Sequence, residues 1–215
     1  MIDAALDRAL KDAAALFRRS HYAVALTGAG LSAESGIPTY RGTGGVWTRF
    51  GEPTIDGWDL FCQDPEAWWK ISIEHRVGGS EFSEAIDRAV PNPAHYAMAE
   101  LEHMGRLAHV ITPQPGDPIR SKGRRRGREG RGTRSRGRCW SGGLGSRLEG
   151  VALSTPPPIC KECGGVLKND VVMFGEPIPQ DALEECYRQA FKADLFLVVG
   201  TSAVVYPAAE FPLMA

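Results

Sequence analysis

The sequence lacks the features that mark membrane and secreted proteins. Its longest run of large apolar residues is the five-residue segment Leu195–Val199, whereas a transmembrane helix needs about 20 such residues. The first residues include acids at Asp3 and Asp7 and no basic segment followed by an apolar one, so no secretory signal peptide is predicted. We therefore expect a cytoplasmic protein with no membrane partner.

Cysteine is scarce, with five residues in a chain of 215. An odd number of cysteines without an export signal argues against a disulfide framework and favours metal binding as the role of the cysteines. Cys160 and Cys163 form a C-x-x-C pair followed by two glycines, which is typical of a zinc knuckle. A redox pair is the alternative for an isolated C-x-x-C. Cys62 and Cys186 lie in apolar helical contexts and are predicted to be core residues.

Large apolar side chains are nearly absent between residues 113 and 150. The stretch 120–138 holds ten of the 25 Lys and Arg residues and one acid, a net charge of +9 in a chain whose total is −1. Such a segment cannot bury enough surface to offset the entropy lost on ordering, so we expect 113–155 to be disordered. Its basic residues also suggest salt-sensitive nucleic-acid binding. Only Trp140 is available for base stacking, and a solvated loop is the interpretation we favour.

Hydrophobic periodicity in the rest of the chain predicts alternating helices and strands. Helices are predicted over 2–19, from Asp64, from Asn92 and over 181–191, and strands over 22–27, 107–112, 171–174 and 195–199. Because the two kinds of element alternate, we expect an α/β fold, a Rossmann-like parallel sheet flanked by helices. A small helical module is expected at about 42–90.

A glycine-rich turn follows the first predicted strand. Residues 28–33 read GAGLSA, which fits G-x-G-x-x-A. Glycines let the backbone approach a pyrophosphate, and the following helix start supplies N–H donors and a partial positive charge. On those six residues alone, a tight strand–helix turn of any α/β protein is an equally good interpretation. Glu52 is at the distance expected of an acidic ribose partner, but it lies in a glycine-rich loop.

A longer string carries a resemblance to a known family. Residues 27–47 read TGAGLSAESGIPTYRGTGGVW, which resembles the first signature of the sirtuins, the NAD-dependent protein lysine deacylases. The resemblance implies that Ser32 caps the helix and reaches a phosphate, and that Arg41 counters phosphate charge near the nicotinamide ribose. The NAD-binding residues that it implies in this string are Gly28, Ala29, Gly30, Ser32, Ile37, Pro38, Tyr40, Arg41 and Trp47.

Other segments are similar to sirtuin motifs, in the family's order. Residues 92–95 read NPAH and resemble P-N-x-x-H, in which we interpret His95 as a capping or packing residue and not as a catalytic base. Gly200, Thr201 and Ser202 resemble the NAD-contacting end of a later strand. A further stretch resembles the one that pairs with the acyl-lysine peptide as an added strand; it contains Val171, Val172, Phe174, Gly175 and Glu176.

The resemblance covers roughly residues 1–112 and 156–215 and divides the chain into four parts. These are a first part of the NAD-binding domain (1–112), the Arg/Gly-rich segment (113–155), a remnant of a zinc module (156–168) and a truncated second part of the NAD-binding domain (169–215). Sirtuins hold zinc with two C-x-x-C pairs. Here Cys139 lies near the expected first pair and is the third candidate ligand beside Cys160 and Cys163. Its partner position, 142, is glycine, so the fourth cysteine is missing and we expect a degenerate zinc ribbon.

Departures from the family pattern bear on activity. After Thr112 a sirtuin reads Q-N-x-D and then H-G, which contains the catalytic base, whereas this sequence reads PQPGDP and has no histidine after His109. We assign no catalytic histidine, and His109 is not assigned the role because it precedes the site. A sirtuin transfers the acyl group of acyl-lysine to the ADP-ribose of NAD and releases nicotinamide. We expect this chain to be inactive, and a non-catalytic NAD-binding remnant is the alternative.

We hypothesise that residues 113 to about 150 are a locally frameshifted or mis-spliced reading of a sirtuin gene, with a genuine insertion as the alternative. Family-like sequence stands on both sides of residues 113–150, whose Arg, Gly and Pro content is typical of GC-rich DNA read out of frame. The hypothesis requires Q-N-x-D and H-G in another reading frame of the same codons, and their absence from both other frames rejects it.

Overall fold

The computed structural model describes residues 3–52, 56–77, 81–112, 128–129, 132–140, 145–147 and 156–215. Helices α1–α7 are Ala4–Arg19, Val46–Phe50, Gly57–Gln63, Pro65–Val77, Glu81–Arg88, Pro93–His103 and Gln180–Lys192. Strands β1–β7 are Ala23–Thr27, His109–Thr112, Arg128–Glu129, Gly132–Cys139, Gly145–Arg147, Leu167–Val171 and Leu195–Val199. Two 3₁₀ helices span Ala29–Ser35 and Ala208–Met214. In these ranges no helix has the length and apolar character that crossing a bilayer requires.

The central sheet confirms the expected α/β architecture. Its strand order is β3-β2-β1-β7, and its described pairings are parallel. Successive side chains of β1 point to opposite faces. Val24 and Leu26 pack with α7 and the second 3₁₀ helix, whereas Ala23 and Ala25 pack with α6. Because both faces are covered, all of β1 is buried, which explains why it reads as a continuous apolar run.

Asp194 joins the start of β7 to the loop between α1 and β1. Its carboxylate accepts hydrogen bonds from the Ser20 hydroxyl at 2.5 Å and from the backbone N–H groups of His21 and Tyr22 at 2.8 and 3.0 Å. The hydrogen bond from Ser20, followed by those from His21 and Tyr22, stabilises the charged form and holds the pKa of Asp194 well below its usual range. Asp194 therefore fixes the relative position of α1 and β7.

We expect Asp194→Asn to flatten the acid limb of the stability profile. A carboxylate with a lowered folded-state pKa adds stability that is fully present above the unfolded-state pKa of about 3.9 and is lost as the pH falls from there toward the folded-state pKa. Denaturant titrations across the acid range should show the unfolding free energy of the wild type falling more steeply below about pH 4 than that of the variant. Equal slopes would contradict this role.

The element after the glycine turn differs from its prediction. It is a 3₁₀ helix over Ala29–Ser35 and not the start of an α-helix, and Gly36 ends it with φ +84°. The difference has a tertiary cause, because Gly30 donates its N–H to the carbonyl oxygen of Gly200 at 2.7 Å. Local sequence does not contain that contact, which ties the turn to a segment far along the chain.

Three strands lie within the segment for which disorder is expected. Strand β3 pairs with β2, and β4 lies between β5 and β6 in an antiparallel three-stranded sheet. The predicted zinc remnant at 156–168 thus packs with residues 132–140, which precede its predicted start. The rest of 113–155 lies outside the described residues, so its disorder and its nucleic-acid binding stay predictions.

An aromatic cluster joins the helical module to the cysteine-containing module. Phe61 in α3 is fully buried, and its ring centroid lies 5.8 Å from that of Trp58 and 5.6 Å from that of Trp140. Trp69 in α4 is also fully buried and donates its indole N–H to the carbonyl oxygen of Leu167 in β6 at 2.8 Å. The two modules therefore share one core.

Candidate functional site

Two predicted NAD-binding segments that are far apart in the sequence meet at the ends of β1 and β7. Gly28 donates its backbone N–H to the carbonyl oxygen of Val199 at 3.0 Å. A Cβ atom on Gly28 would lie 2.5 Å from the Gly200 carbonyl oxygen, and one on Gly30 would lie 2.8 Å from the Gly200 Cα. Because both approaches are backbone to backbone, this contact admits only glycine.

The position of this contact agrees with a ligand site. Strands β1 and β7 are parallel, so the turn after Thr27 and the segment after Val199 both lie at the carboxyl edge of the sheet. Ligands of open α/β sheets bind outside that edge. The same geometry places His109 away from the turn, because it pairs with Val24 near the start of β1.

Helix α6 supports the turn from behind. Ser32 Oγ lies 3.1 Å from His95 Nε2, and the Asn92 backbone N–H donates to His95 Nδ1 at 3.0 Å. Since Nδ1 accepts that hydrogen bond, the ring is neutral and carries its proton on Nε2. The Asn92 side-chain amide donates to the carbonyl oxygen of Leu31 at 2.8 Å. Sequence reasoning missed this contact of Asn92, for which the helix cap was the only signal.

These contacts confirm the role predicted for His95 and correct the one predicted for Ser32. His95 packs and caps as expected, because it completes a capping box with Asn92 at the start of α6. Ser32 does not cap the following helix; it lies inside the 3₁₀ helix, is buried, and directs its hydroxyl to His95. The predicted cap is wrong because the helix begins at Ala29, three positions before Ser32.

Tyr40, Arg41 and Trp47 form one group in the loop after the turn. The Trp47 ring centroid lies 4.9 Å from that of Tyr40, and the Arg41 guanidinium carbon lies 4.4 Å from the Trp47 centroid. Arg41 Nε donates to Glu52 Oε1 at 2.9 Å. Glu52 is therefore an ion-pair partner of Arg41, and the phosphate contact predicted for Arg41 requires exchange of that pair. The preceding Ile37 is buried and donates its N–H to the carbonyl oxygen of Ser32 at 3.3 Å.

The predicted substrate segment adjoins this group through aromatic contacts. The Phe174 ring centroid lies 5.9 Å from that of Trp47, and the Trp58 backbone N–H donates to the Phe174 carbonyl oxygen at 3.1 Å. The strand predicted at 171–174 is wrong, because β6 occupies Leu167–Val171 instead. The chain turns after β6, where Gly175 has φ +83°.

A buried ion pair supports that turn. Lys168 Nζ lies 3.1 Å from Glu176 Oε1, and the two side chains are 5% and 15% exposed. Lys168 also donates to the carbonyl oxygens of Asn169 and Val171 at 2.9 and 3.0 Å. Glu176 accepts a hydrogen bond from the backbone N–H of Met173 at 2.9 Å. The burial of Lys168 was not predictable, since a single lysine in a polar stretch carries no sequence signal of burial.

Three cysteines converge in the second module. The Sγ atoms of Cys139, Cys160 and Cys163 all lie within 4.8 Å of one another, and those of Cys139 and Cys163 are 3.2 Å apart. The Gly164 N–H donates to the Cys160 carbonyl oxygen and the Cys160 N–H to the Gly165 carbonyl oxygen, which closes the knuckle. The hydrogen bond with Cys139 raises the pKa of the Cys163 thiol.

The donor set fits a zinc ion with an incomplete protein shell. Thiolate sulfur binds Zn²⁺ at about 2.3 Å in a tetrahedron. In the part of the chain that the structure describes, this group supplies three ligand atoms, which leaves one tetrahedral position to water or another donor. Of the two remaining cysteines, Cys186 in α7 is buried in the core, as predicted, whereas Cys62 in α3 is only partly buried and does not reach the core position predicted for it.

We expect the protein to bind one Zn²⁺ per chain and Cys139→Ser to weaken that binding. Loss of a residue that merely orients a ligand costs about 10- to 100-fold in affinity, so loss of a ligand should cost at least about 100-fold. Competition with a chromogenic chelator measures the affinity, and Cys62→Ser is the matched control. Wild-type affinity in Cys139→Ser would exclude Cys139 from the site.

Comparison with known proteins identifies the family. The family model described as Sir2 family matches residues 28–207. The chain is 43% identical over 209 residues to the NAD-dependent protein deacylase of Thermococcus kodakarensis, a match that covers 94% of this chain and 79% of the relative. It is 42% identical over 200 residues to NAD-dependent protein deacylase 2 of Pyrobaculum aerophilum, with 93% and 77% covered.

Solved structures agree. A mutant Sir2 homologue in complex with ADP ribose superposes with a TM-score of 0.79 at 38% identity, covering 95% of this chain and 79% of the other. A Sir2 structure with a p53 peptide and NAD⁺ superposes with a TM-score of 0.78 at 33% identity, covering 95% and 81%. With its signature turn, its fold and most of its length matched, the chain belongs to the Sir2 family, the sirtuins.

Proposed function

We propose that this chain binds NAD at the carboxyl edge of the central sheet, in the manner of an NAD-dependent protein-lysine deacylase. The observation that carries the proposal is the close backbone contact between Gly28, Gly30 and Gly200. It joins two predicted NAD-binding segments at the carboxyl edge of the sheet, where glycines let a pyrophosphate approach the backbone. Neighbouring Sir2 structures whose ligands are ADP ribose and NAD⁺ support this assignment.

We further propose an acylated-lysine peptide as the second substrate. Its binding segment is the turn of residues 171–176, in which Phe174 contacts Trp47 of the loop after the glycine turn. In the reaction of the family, the acyl oxygen attacks C1′ of the nicotinamide ribose, nicotinamide leaves, and a general base then activates a ribose hydroxyl. The Sir2 structure with a p53 peptide supports a peptide substrate. The Cys139, Cys160 and Cys163 thiolates would hold zinc as a structural ion that stabilises this part of the fold.

We also expect this chain to turn over NAD slowly or not at all. The sequence has no histidine after His109, and His109 itself lies on β2 opposite Val24. His95 contacts the turn, but Ser32 and the Asn92 backbone engage its two ring nitrogens. Neither histidine is placed to deprotonate a ribose hydroxyl at the sheet edge. NAD binding without rapid nicotinamide release is therefore the expected behaviour.

An NAD titration paired with an acetyl-lysine peptide assay tests both parts. We expect calorimetric binding of NAD and a rate of nicotinamide release at least about 100-fold below that of the Thermococcus relative assayed in parallel, since a general base contributes about 10²- to 10⁴-fold. Absence of NAD binding would overturn the assigned function. Release at the rate of the relative would overturn the expected inactivity and leave the assigned function intact.

A further inference from the structure

The cysteine group, formed by Cys139, Cys160 and Cys163, offers three thiols and no fourth. The sequence has five cysteines, and the other two lie elsewhere, Cys62 in α3 and Cys186 in the core beside β1. Among the side chains that the structure describes, no histidine or carboxylate joins the group. Structural zinc sites in proteins have four ligands, so this group matches a three-coordinate ligand better than it matches zinc.

Two thiols of the cysteine group face an apolar interior. Cys139 and Cys160 are buried in one cluster with the aromatic side chains of Phe61 and Trp69, whereas Cys163 is exposed. A ligand therefore reaches the group from the side of Cys163. Because two of the three sulfurs are removed from water, a net charge on the occupied site costs free energy.

The backbone holds the three thiols close together. Cys139 lies opposite Leu167 in the antiparallel pairing of β4 with β6. Cys160 donates its N–H to the carbonyl oxygen of Gly165 at 2.8 Å, and its own carbonyl oxygen accepts from the Gly164 N–H at 2.9 Å. The three Sγ atoms lie within 4.8 Å of one another. A ligand that bonds to all three sulfurs thus requires little ordering of the chain, and such preorganisation raises affinity.

Trivalent arsenic has the valence that the cysteine group satisfies. Thiolate sulfur is a soft donor and selects soft ions. Arsenous acid, As(OH)₃, reacts with three thiols: three As–S bonds replace three As–OH bonds, the S–H protons leave with the hydroxyls as three waters, and arsenic stays trivalent. The product is neutral and needs no fourth ligand, because arsenic keeps a lone pair. Zn²⁺ with three thiolates instead carries a net negative charge, which burial disfavours.

We propose that the cysteine group binds trivalent arsenic through all three sulfurs and gives up zinc to it. Cys160 and Cys163 supply the C-x-x-C pair, and Cys139 at the end of β4 supplies the third bond. The third bond distinguishes this site from an ordinary C-x-x-C pair, which leaves one hydroxyl on arsenic. The proposal is independent of NAD binding, since it uses no residue of the carboxyl edge of the central sheet.

Titration of the zinc-loaded protein with sodium arsenite tests the proposal. We expect one arsenic bound and one zinc released per chain, counted by native mass spectrometry and with a chromogenic chelator. X-ray absorption at the arsenic edge should find three sulfur neighbours and no oxygen. Cys163→Ser, which changes an exposed side chain, should weaken arsenite binding by at least about 100-fold through loss of a ligand, whereas Cys62→Ser should leave it unchanged.

A monomethyl arsenical isolates the role of Cys139. Methylarsonous acid has two exchangeable hydroxyls and bonds to two thiols, so Cys139→Ser should weaken the binding of arsenite and leave that of methylarsonous acid, through Cys160 and Cys163, nearly unchanged. Arsenic with two sulfur neighbours and one oxygen, arsenic bound while zinc stays in place, or equal effects of Cys139→Ser on both arsenicals would overturn the proposal. The sulfur count is made on the wild type, so it decides the question even if Cys139→Ser does not fold.

Discussion

Gly200→Ala is expected to lower the free energy of unfolding by about 4 kcal/mol or more, which is exceptionally large for a single substitution. The added Cβ would lie 2.1 Å from the backbone nitrogen of Leu31 and 2.6 Å from the carbonyl carbon of Gly30. Neither atom belongs to a side chain that can rotate away, so β7 and the glycine turn must separate. The φ of Gly200, +62°, adds the cost of a left-handed conformation.

Gly36→Ala is the matched control. Gly36 has φ +84°, but a Cβ there would meet nothing within 4 Å, so this variant carries the conformational penalty without the clash. It should cost about 1 kcal/mol. Urea denaturation of both variants separates the two effects, and NAD titration of folded Gly200→Ala should show no binding. Equal losses of stability would show that the backbone contact contributes nothing.

Glu176→Ala is expected to destabilise the protein by about 3 kcal/mol or more, because it leaves the Lys168 ammonium buried without its counter-ion. Lys168 Nζ retains hydrogen bonds to two carbonyl oxygens, but these oxygens carry no full charge. The backbone N–H of Met173 loses its acceptor in the same variant, so the turn after β6 is weakened at two points. Chemical denaturation measures the loss.

Two further variants give this prediction its controls. Lys70 and Glu66 form an exposed ion pair on α4, and Glu66→Ala should cost less than about 1 kcal/mol, since exposed pairs contribute little. The double variant Lys168→Met with Glu176→Leu removes both charges and should recover much of the stability that Glu176→Ala loses. A double variant as unstable as Glu176→Ala would mean that the charge of Lys168 is not the cause.

The elements that sequence reasoning places correctly are those whose signals are local. Strands β1 and β7 are short apolar runs, each followed by glycine, and their parallel pairing and the burial of β1 follow from that pattern. The start of α6 follows from Asn92 and Pro93, which supply a side-chain cap and a first helical residue with no N–H to satisfy.

The features that sequence reasoning misplaces depend on distant partners. The glycine turn is hydrogen-bonded to Gly200, the turn after β6 to Glu176, and the Arg41 side chain to Glu52. No periodicity reports such pairs. Cys139 was placed beside Cys160 and Cys163 by the family pattern and not by spacing, and the structure confirms that the three thiols meet.

The strand order has a consequence for biosynthesis. The central strand β1 is made early, yet one of its two neighbours, β7, lies far along the chain and is made much later. Until Leu195–Val199 emerges from the ribosome, β1, which is fully buried in the folded protein, has no hydrogen-bonding partner on one side. Pairing of strands so far apart in sequence is slow. During the delay a nascent chain exposes apolar surface and an unpaired strand edge, which favour aggregation. Translation of this protein should therefore depend on chaperones that shield the half-built sheet.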